Sequence, residues 1–147
     1  MKISDHTGLS RDRVRRSTRS RANARIDLAT RTNIENVRDQ PAEALTRRID
    51  ELDREWDIER VLQTNASILA FSGIMLGAAV NRKFLILPGA VLSFFLQHAV
   101  QGWCPPVPVF RRMGIRTRQE IIREKYALKA LRGDFDEVDA PPDGGQP

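Results

Sequence analysis

Cysteine and histidine are nearly absent from this chain of 147 residues, which contains one cysteine, Cys104, and two histidines, His6 and His98. A single cysteine excludes an internal disulfide and a multi-cysteine metal site within one copy. The sequence also lacks a Gly-rich phosphate-binding loop and a His-Glu-x-x-His motif. We therefore expect no metal, no cofactor and no catalytic residue, and the chain is predicted not to be an enzyme.

Charge is missing from the middle of the chain. Residues 61–110 contain no acidic residue and only two basic ones, Arg82 and Lys83, although the net charge of the whole chain is +5. An α-helix needs about 20 mostly apolar residues to cross a hydrocarbon core of ~30 Å. We predict two membrane spans, about 61–80 and 84–103, in the uncharged stretches on either side of the basic pair.

The connection Asn81-Arg82-Lys83 between the spans is so short that they form an antiparallel hairpin, with both arms on one side of the membrane. Lys and Arg are more frequent beside the outer ends of the spans than in this connection, which predicts that both termini are cytoplasmic. The predicted fold is therefore an all-α, multi-pass membrane protein. The alternative is a soluble oligomeric bundle, because the charged arms of one chain cannot cover two helices that are apolar on every face.

Small residues form a strip along the first span, made of Ala66, Ala70, Gly73 and Gly77. The two glycines form a Gly-x-x-x-Gly motif, which lets two helix backbones approach closely in a membrane. The strip fits two uses equally well, namely contact between the two helices of this hairpin and homodimerisation.

Polar side chains occur late in the second span, at Gln97, His98 and Gln101. Such residues are costly inside a membrane and often mark a function. They lie close to the predicted membrane boundary and to Trp103, a residue type that anchors helices at the interface. The pattern favours hydrogen bonding at the interface, and the alternative is a haem or metal ion bound through His98.

The second span ends in the membrane-edge motif Gly102-Trp103-Cys104-Pro105, followed by a proline-rich segment that we expect to be extended. Cys104 is a candidate nucleophile at the membrane surface, since Arg111 and Arg112 would lower the pKa of its thiol. No motif in the sequence supplies a general base for it.

An amphipathic juxtamembrane helix is predicted at 41–60 and leads directly into the first span. It begins near Pro41, carries a net negative charge and has apolar residues on one face. That face consists of Leu45, Ile49, Leu52 and Trp56.

A basic amphipathic helix is predicted within 111–133, where Thr117 and Glu120 form a capping box and Gly133 is a stop signal. Its net charge is opposite to that of the helix at 41–60, and we predict that the two helices pack together. The alternative is that the basic helix binds anionic lipid headgroups.

The two ends of the chain are predicted to be mobile or disordered. Residues 1–40 are rich in arginine with little apolar periodicity, and residues 134–147 are acidic and then rich in proline and glycine. The N-terminal arm lacks the apolar stretch of a secretory signal, although its Arg and Ser content overlaps with that of organellar transit peptides. It also lacks interleaved aromatic residues for base stacking, so nucleic acid is not an expected partner.

Four short motifs around the spans carry a resemblance to a known family. They are Asp57-Ile58-Glu59-Arg60, Leu96-Gln97, Gly102-Trp103-Cys104-Pro105 and Gly114-Ile115. In these motifs the chain resembles the YgaP-like inner-membrane domain family over roughly 57–117, and the stretch 126–135 looks like an extension found in a subset of such proteins. The resemblance implies a bacterial two-helix module of the inner membrane, often dimeric and of unknown function. Some members are fused to a rhodanese domain, which this chain lacks, so the resemblance implies no sulfur-transfer chemistry.

Two functions fit these features. The first is a dimerising membrane anchor or scaffold that presents cytoplasmic helices to another membrane protein or to membrane lipids. The second is a thiol- or haem/metal-handling membrane protein that uses Cys104 and His98.

Overall fold

The computed structural model describes residues 12–135, and within this range every regular element is a helix, as predicted. The predicted disorder of residues 1–11 and 136–147 lies outside the described residues. The described helices follow one another along the chain. They are α1 (Arg13–Ser17), α2 (Ser20–Arg38), α3 (Ala42–Arg54), α4 (Ile58–Ala79), a short 3-10 helix (Arg82–Leu85), α5 (Ile86–Gln101), α6 (Val107–Arg112) and α7 (Arg118–Arg132).

The helices α4 and α5 pack side by side as a hairpin joined by the 3-10 helix. Two helical stretches are long and apolar enough to cross a membrane. The first is Ala42–Ala79, whose apolar part is α4, and the second is Arg82–Gln101. In the apolar windows of these stretches only 17% and 11% of the residues are buried. The hairpin therefore presents most of its apolar side chains outward. The second stretch ends before residue 103 because Gly102 adopts a left-handed φ of 73° that terminates α5.

The glycines of the small-residue strip lie where α4 contacts the start of the returning chain. A Cβ atom on Gly73 would stand 2.5 Å from Cδ of Pro88, and one on Gly77 would stand 2.6 Å from Cδ2 of Leu85. Of the two uses open to the strip, the structure shows close packing within the hairpin. The strip continues with two partly buried alanines, Ala66 and Ala70.

We expect Gly73→Ala to destabilise the purified protein in detergent by about 1–3 kcal/mol, because the added methyl overlaps Pro88 and pushes the helices apart. Gly89→Ala is the matched control, since nothing lies within 4 Å of a Cβ at that position. Alanine is favoured over glycine inside a helix by about 1 kcal/mol, so the control should be at least as stable as the parent protein. Thermal unfolding midpoints measure both changes, and a Gly73→Ala midpoint as high as that of the control would contradict the close packing.

The helix α3 packs against α7, which confirms the predicted pairing of the acidic and basic helices. Their apolar faces form one buried cluster. Trp56, predicted to belong to this face, is 46% exposed instead, and the guanidinium carbon of Arg60 lies 4.3 Å from the centre of its ring. The cluster consists of Leu45, Ile49, Leu52, Ile121 and Leu128.

The prediction of one continuous helix leading into the first span is wrong at residues 55–57, where the chain leaves the helical conformation. Asp57 caps α4, and its Oδ1 accepts a hydrogen bond from the Arg60 N–H at 2.8 Å. The N–H of Ile58 donates to the carbonyl oxygen of Arg116 at 2.9 Å. This corner lets α3 follow α7 while α4 follows the hairpin, and it satisfies the N–H groups of Ile58 and Arg60 at the start of α4.

The expectation of a mobile N-terminal arm is wrong for residues 12–40, which fold into α1 and α2. Asp12 caps α1 by accepting a hydrogen bond from the Arg15 N–H at 3.0 Å. Val14 and Ile26, each 3% exposed, are buried by other helices. Apolar periodicity did not indicate these helices because most of the side chains that hold them are charged, as described below.

The proline-rich segment after the second span is also not extended as predicted, since Val107–Arg112 forms the short helix α6. Pro106 precedes its first residue and Pro108 is its second. A proline is compatible with these positions because the first N–H groups of a helix have no partner within it. The prolines therefore start a helix here.

The predicted basic helix is α7, and it starts with the predicted capping box. Thr117 Oγ1 accepts from the Glu120 N–H at 3.4 Å, and the Glu120 carboxylate accepts from the Thr117 N–H at 2.9 Å. Gly133, with φ of 87°, ends the helix as predicted. Residues 111 and 112, which the prediction placed in the same segment, belong to α6.

Candidate functional site at the base of the hairpin

Two carboxylates of α7 are buried where the charged helices meet. Glu120 is 3% exposed and Glu124 is fully buried. Their spacing of four residues puts them on one side of the helix, beside the buried Ile121 and Leu128. A buried carboxylate is costly unless it is paired with a cation and hydrogen-bonded. Arginines from four other segments of the chain provide this pairing.

Glu120 is held by two arginines. The fully buried Arg111 donates from Nη1 and Nη2 to its two carboxylate oxygens at 2.7 and 2.8 Å, a bidentate arrangement. Arg15 of α1 donates to Glu120 at 2.6 Å and to Asp27 of α2 at 2.5 Å. Burial on its own would raise the pKa of the Glu120 carboxyl, but the hydrogen bonds from Arg111 and from the Thr117 N–H lower that pKa below its usual range.

Glu124 is held in the same way by two other arginines. Arg48 of α3 donates from Nε and Nη2 to one carboxylate oxygen at 3.0 and 2.9 Å, and Arg116 donates to the other. Arg116 also donates from Nε to Glu55 at 2.7 Å and from Nη1 to the Thr30 hydroxyl at 3.3 Å. Burial would lower the pKa of Arg116, but the hydrogen bonds to Glu55 and Glu124 raise it.

We call these eight side chains the ion-pair network. It joins α1, α2, α3, α6, α7 and the corner at 55–57, so its members come from every described helix outside the hairpin. The network was not predicted from the sequence, although the position of Glu120 and Glu124 on the apolar side of α7 is one signal of it. The network consists of Arg15, Asp27, Arg48, Glu55, Arg111, Arg116, Glu120 and Glu124.

The helix α1 binds the carboxyl end of α5. Arg13 donates from Nη1 to the carbonyl oxygens of Ala99 at 3.0 Å and Val100 at 3.4 Å, and Ser17 Oγ donates to that of Gly102 at 2.9 Å. The last carbonyl groups of a helix have no partner within it and carry partial negative charge, so an arginine is a suitable cap. The N-terminal arm thus fastens the charged helices to the second helix of the hairpin.

The polar residues predicted near the end of the second span do not form a shared site. His98 is 4% exposed, its Nε2 lies 3.0 Å from Oε2 of Glu59 at the start of α4, and it stacks on Phe95. Gln97 is partly buried and Gln101 is exposed. Among the described residues, no three His, Cys, Asp or Glu side chains are grouped so that they could hold a metal ion. His98 therefore joins the two helices of the hairpin at their base.

The membrane-edge motif is divided between the surface and the interior. Trp103 is 37% exposed, whereas Cys104 is 3% exposed, and burial raises the pKa of its thiol. The expectation that two arginines lower this pKa is wrong, because Arg111 is paired with Glu120. Gly102 is buried, Pro105 is exposed, and Cys104 belongs to a cluster with Val14, Ile58, Leu62 and Val107.

We expect Cys104 to react with iodoacetamide at least about ten times more slowly than a model thiol at pH 8, because its pKa is raised and its sulfur is buried. The rate is measured on the folded protein in mild detergent. Unfolding in dodecyl sulfate is the control and should restore an ordinary rate. A folded-state rate above that of the model thiol would contradict this structure of the site.

Comparisons with protein-family models, with curated proteins and with solved structures found no match to this chain.

Proposed function

We propose that this protein is a non-enzymatic module of the bacterial inner membrane. The hairpin of α4 and α5 anchors it in the bilayer, and the other helices form a cytoplasmic platform for a partner. The observation that carries the proposal is the contrast between the two parts. The hairpin leaves its apolar faces uncovered, whereas the remaining helices pair their buried charges with one another.

The uncovered surface of the hairpin is large and continuous along both helices. Phe71 is 66% exposed, Ile86 is 75% exposed and Leu96 is 67% exposed. Soluble monomers rarely expose apolar patches larger than a few hundred Å². Lipid chains would cover this surface, and a helix satisfies its own backbone groups in lipid. The 22 residues of α4 give a length of about 33 Å, which suits a bilayer core.

Both termini are cytoplasmic in this proposal. Arg82 and Lys83 lie at the tip of the hairpin, and the many arginines of the other described helices gather at its base. Basic residues near the ends of spans are retained on the cytoplasmic side. The base of the hairpin therefore faces the cytoplasm.

A second copy of the chain or another membrane protein is the proposed partner. The glycine strip is already occupied within the hairpin, so a homodimer would use the exposed outer faces of α4 and α5. Membership of the YgaP-like inner-membrane domain family is part of the same proposal. The resemblance in the motifs around the spans supports it.

Fractionation and site-directed labelling test the proposal. We expect the protein to stay in the membrane pellet after alkaline carbonate washing and to need detergent for release. In a Cys104→Ala background, Lys83→Cys should react with a membrane-impermeant maleimide in intact cells, whereas Arg118→Cys should react only after permeabilisation. Recovery of the protein as a soluble oligomer without detergent would contradict the proposal, and labelling of Arg118→Cys in intact cells would contradict the orientation.

A further inference from the structure

A cavity of about 550 Å³ lies between the start of α2, the helix α6 and Trp103. Among the described residues its charged lining is entirely basic, with no aspartate or glutamate. Such a concentration of one charge sign is unfavourable unless an anion neutralises it. The basic lining residues are Arg19, Arg21, Arg25, Arg111 and Arg112.

Most of these arginines are not committed to carboxylates. Within residues 12–135, Arg19, Arg21 and Arg112 form no ion pair. In the same range Arg25 donates only to the carbonyl oxygen of Arg112, so no described carboxylate pairs with its charge. The cavity therefore has donors and positive charge free for a ligand.

The fully buried Arg111 also lines the cavity. Its Nη atoms are used by Glu120, Asn23 and a carbonyl oxygen, but its Nε has no hydrogen-bond partner in the described part of the chain. This nitrogen is buried, and the charge of Arg111 is already paired with Glu120, so the positive charge available to a ligand comes from the other four arginines.

The amino end of α2 adds to the positive electrostatic potential in the cavity. The helix spans Ser20–Arg38, and no side chain caps its first turn. Free N–H groups and the positive end of the helix dipole at this place favour an anion such as a phosphate group. Arginine forks also match the oxygen geometry of phosphate.

The position of the cavity indicates where such a phosphate comes from. Trp103 forms part of its wall and follows the end of α5 at Gln101 by two residues. Tryptophan is the residue type that sits at the level of lipid headgroups. A lipid bound here would place its phosphate among the arginines and its glycerol and chains beside Trp103 and the hairpin.

We propose that this cavity binds the phosphate headgroup of an anionic phospholipid of the cytoplasmic leaflet. The inference rests on the proposed membrane anchoring, since the lipid reaches the cavity only if the hairpin is inserted. The lipid would tie the start of α2 to the membrane surface at the end of α5.

Native mass spectrometry of the full chain in a neutral detergent, titrated with phosphatidylglycerol or phosphatidylcholine, tests this site. The test variant carries Arg19→Gln and Arg21→Gln. The matched control carries Arg31→Gln and Arg38→Gln, which remove the same charge from exposed positions of the same helix outside the cavity. We expect the Kd for phosphatidylglycerol to rise about 25-fold in the test variant and less than threefold in the control.

Other results of this titration would overturn the lipid site or the membrane anchoring separately. No preference for phosphatidylglycerol over phosphatidylcholine in the parent protein, or an equal loss in both variants, would overturn the lipid site. Displacement of the lipid by inorganic phosphate at a similar concentration would also overturn it and indicate a soluble phosphate ligand. Carbonate washing of membranes from the same cells, before detergent is added, reports on insertion, so a protein released by the wash would contradict the anchoring and not the phosphate chemistry of the cavity.

Discussion

Replacing Glu120 by glutamine should lower the free energy of unfolding by about 3–5 kcal/mol, because the change leaves Arg111 buried without its carboxylate partner. Arg111 is fully buried, and no water can replace the lost pair without opening the bundle. Glutamine keeps the shape of the side chain, so the effect isolates charge and hydrogen bonding. Thermal unfolding of the purified protein in detergent, followed by circular dichroism, measures the loss.

Glu51→Gln is the matched control for this prediction. Glu51 also pairs with an arginine, Arg48, at 2.9 Å, but its side chain is 55% exposed. Exposed ion pairs contribute only about 0–1 kcal/mol, so the control should unfold close to the parent protein. Equal midpoints for Glu51→Gln and Glu120→Gln would show that the network is not buried in solution.

The ion pair of Glu120 and Arg111 makes the stability of the folded protein depend on pH. The pKa of Glu120 is lowered in the folded state, so its contribution to stability is complete above the unfolded value of about 4.3 and is lost as the pH falls through the folded pKa. We expect the unfolding midpoint of the parent protein to fall more steeply below pH 4 than that of Glu120→Gln. Parallel curves for the two proteins over this range would contradict the assignment.

Gly102→Ala should detach α1 from the end of α5. The added Cβ would stand 2.5 Å from Cβ of Arg13 and 2.7 Å from its carbonyl carbon, and the residue must hold a φ of 73°. The backbone conformation costs about 1–2 kcal/mol for a residue with a side chain. The overlap adds about 1–3 kcal/mol unless α1 moves away. The measurement is limited proteolysis with trypsin, because a detached α1 exposes its arginines to cleavage.

Gly114→Ala separates these two causes. Gly114 also has a left-handed φ, of 90°, but nothing lies within 4 Å of a Cβ at that position. It should therefore show the backbone cost alone, with α1 still resistant to trypsin. If both variants were cleaved at the same rate, the contact between Arg13 and Gly102 would not be what fastens the N-terminal arm.

Features that depend on neighbouring residues were predictable from the sequence. The two apolar stretches appear as an absence of charge over 61–110 on either side of Arg82 and Lys83. The capping box of Thr117 and Glu120 depends on a spacing of three residues, and the pairing of α3 with α7 follows from two apolar stripes that each need a partner.

The sequence did not indicate which charges are buried. Arg15 and Glu120 are 105 residues apart in the chain, and nothing in the local pattern around Arg15 distinguishes it from the exposed arginines beside it. The folded helices in residues 12–40 and the corner at 55–57 were missed for the same reason, since both are held by distant partners.

The sequence by itself determined that two uncharged helices form a hairpin with charged arms, because hydropathy and helix length are properties of a continuous stretch of chain. Only the tertiary structure decided that the glycine strip is used within the hairpin, that Cys104 is buried, and that the N-terminal arm caps α5. The physical reason is that burial, ion pairing and close packing are interactions between segments. Their free energies depend on distances across the fold, which spacing along the chain does not contain.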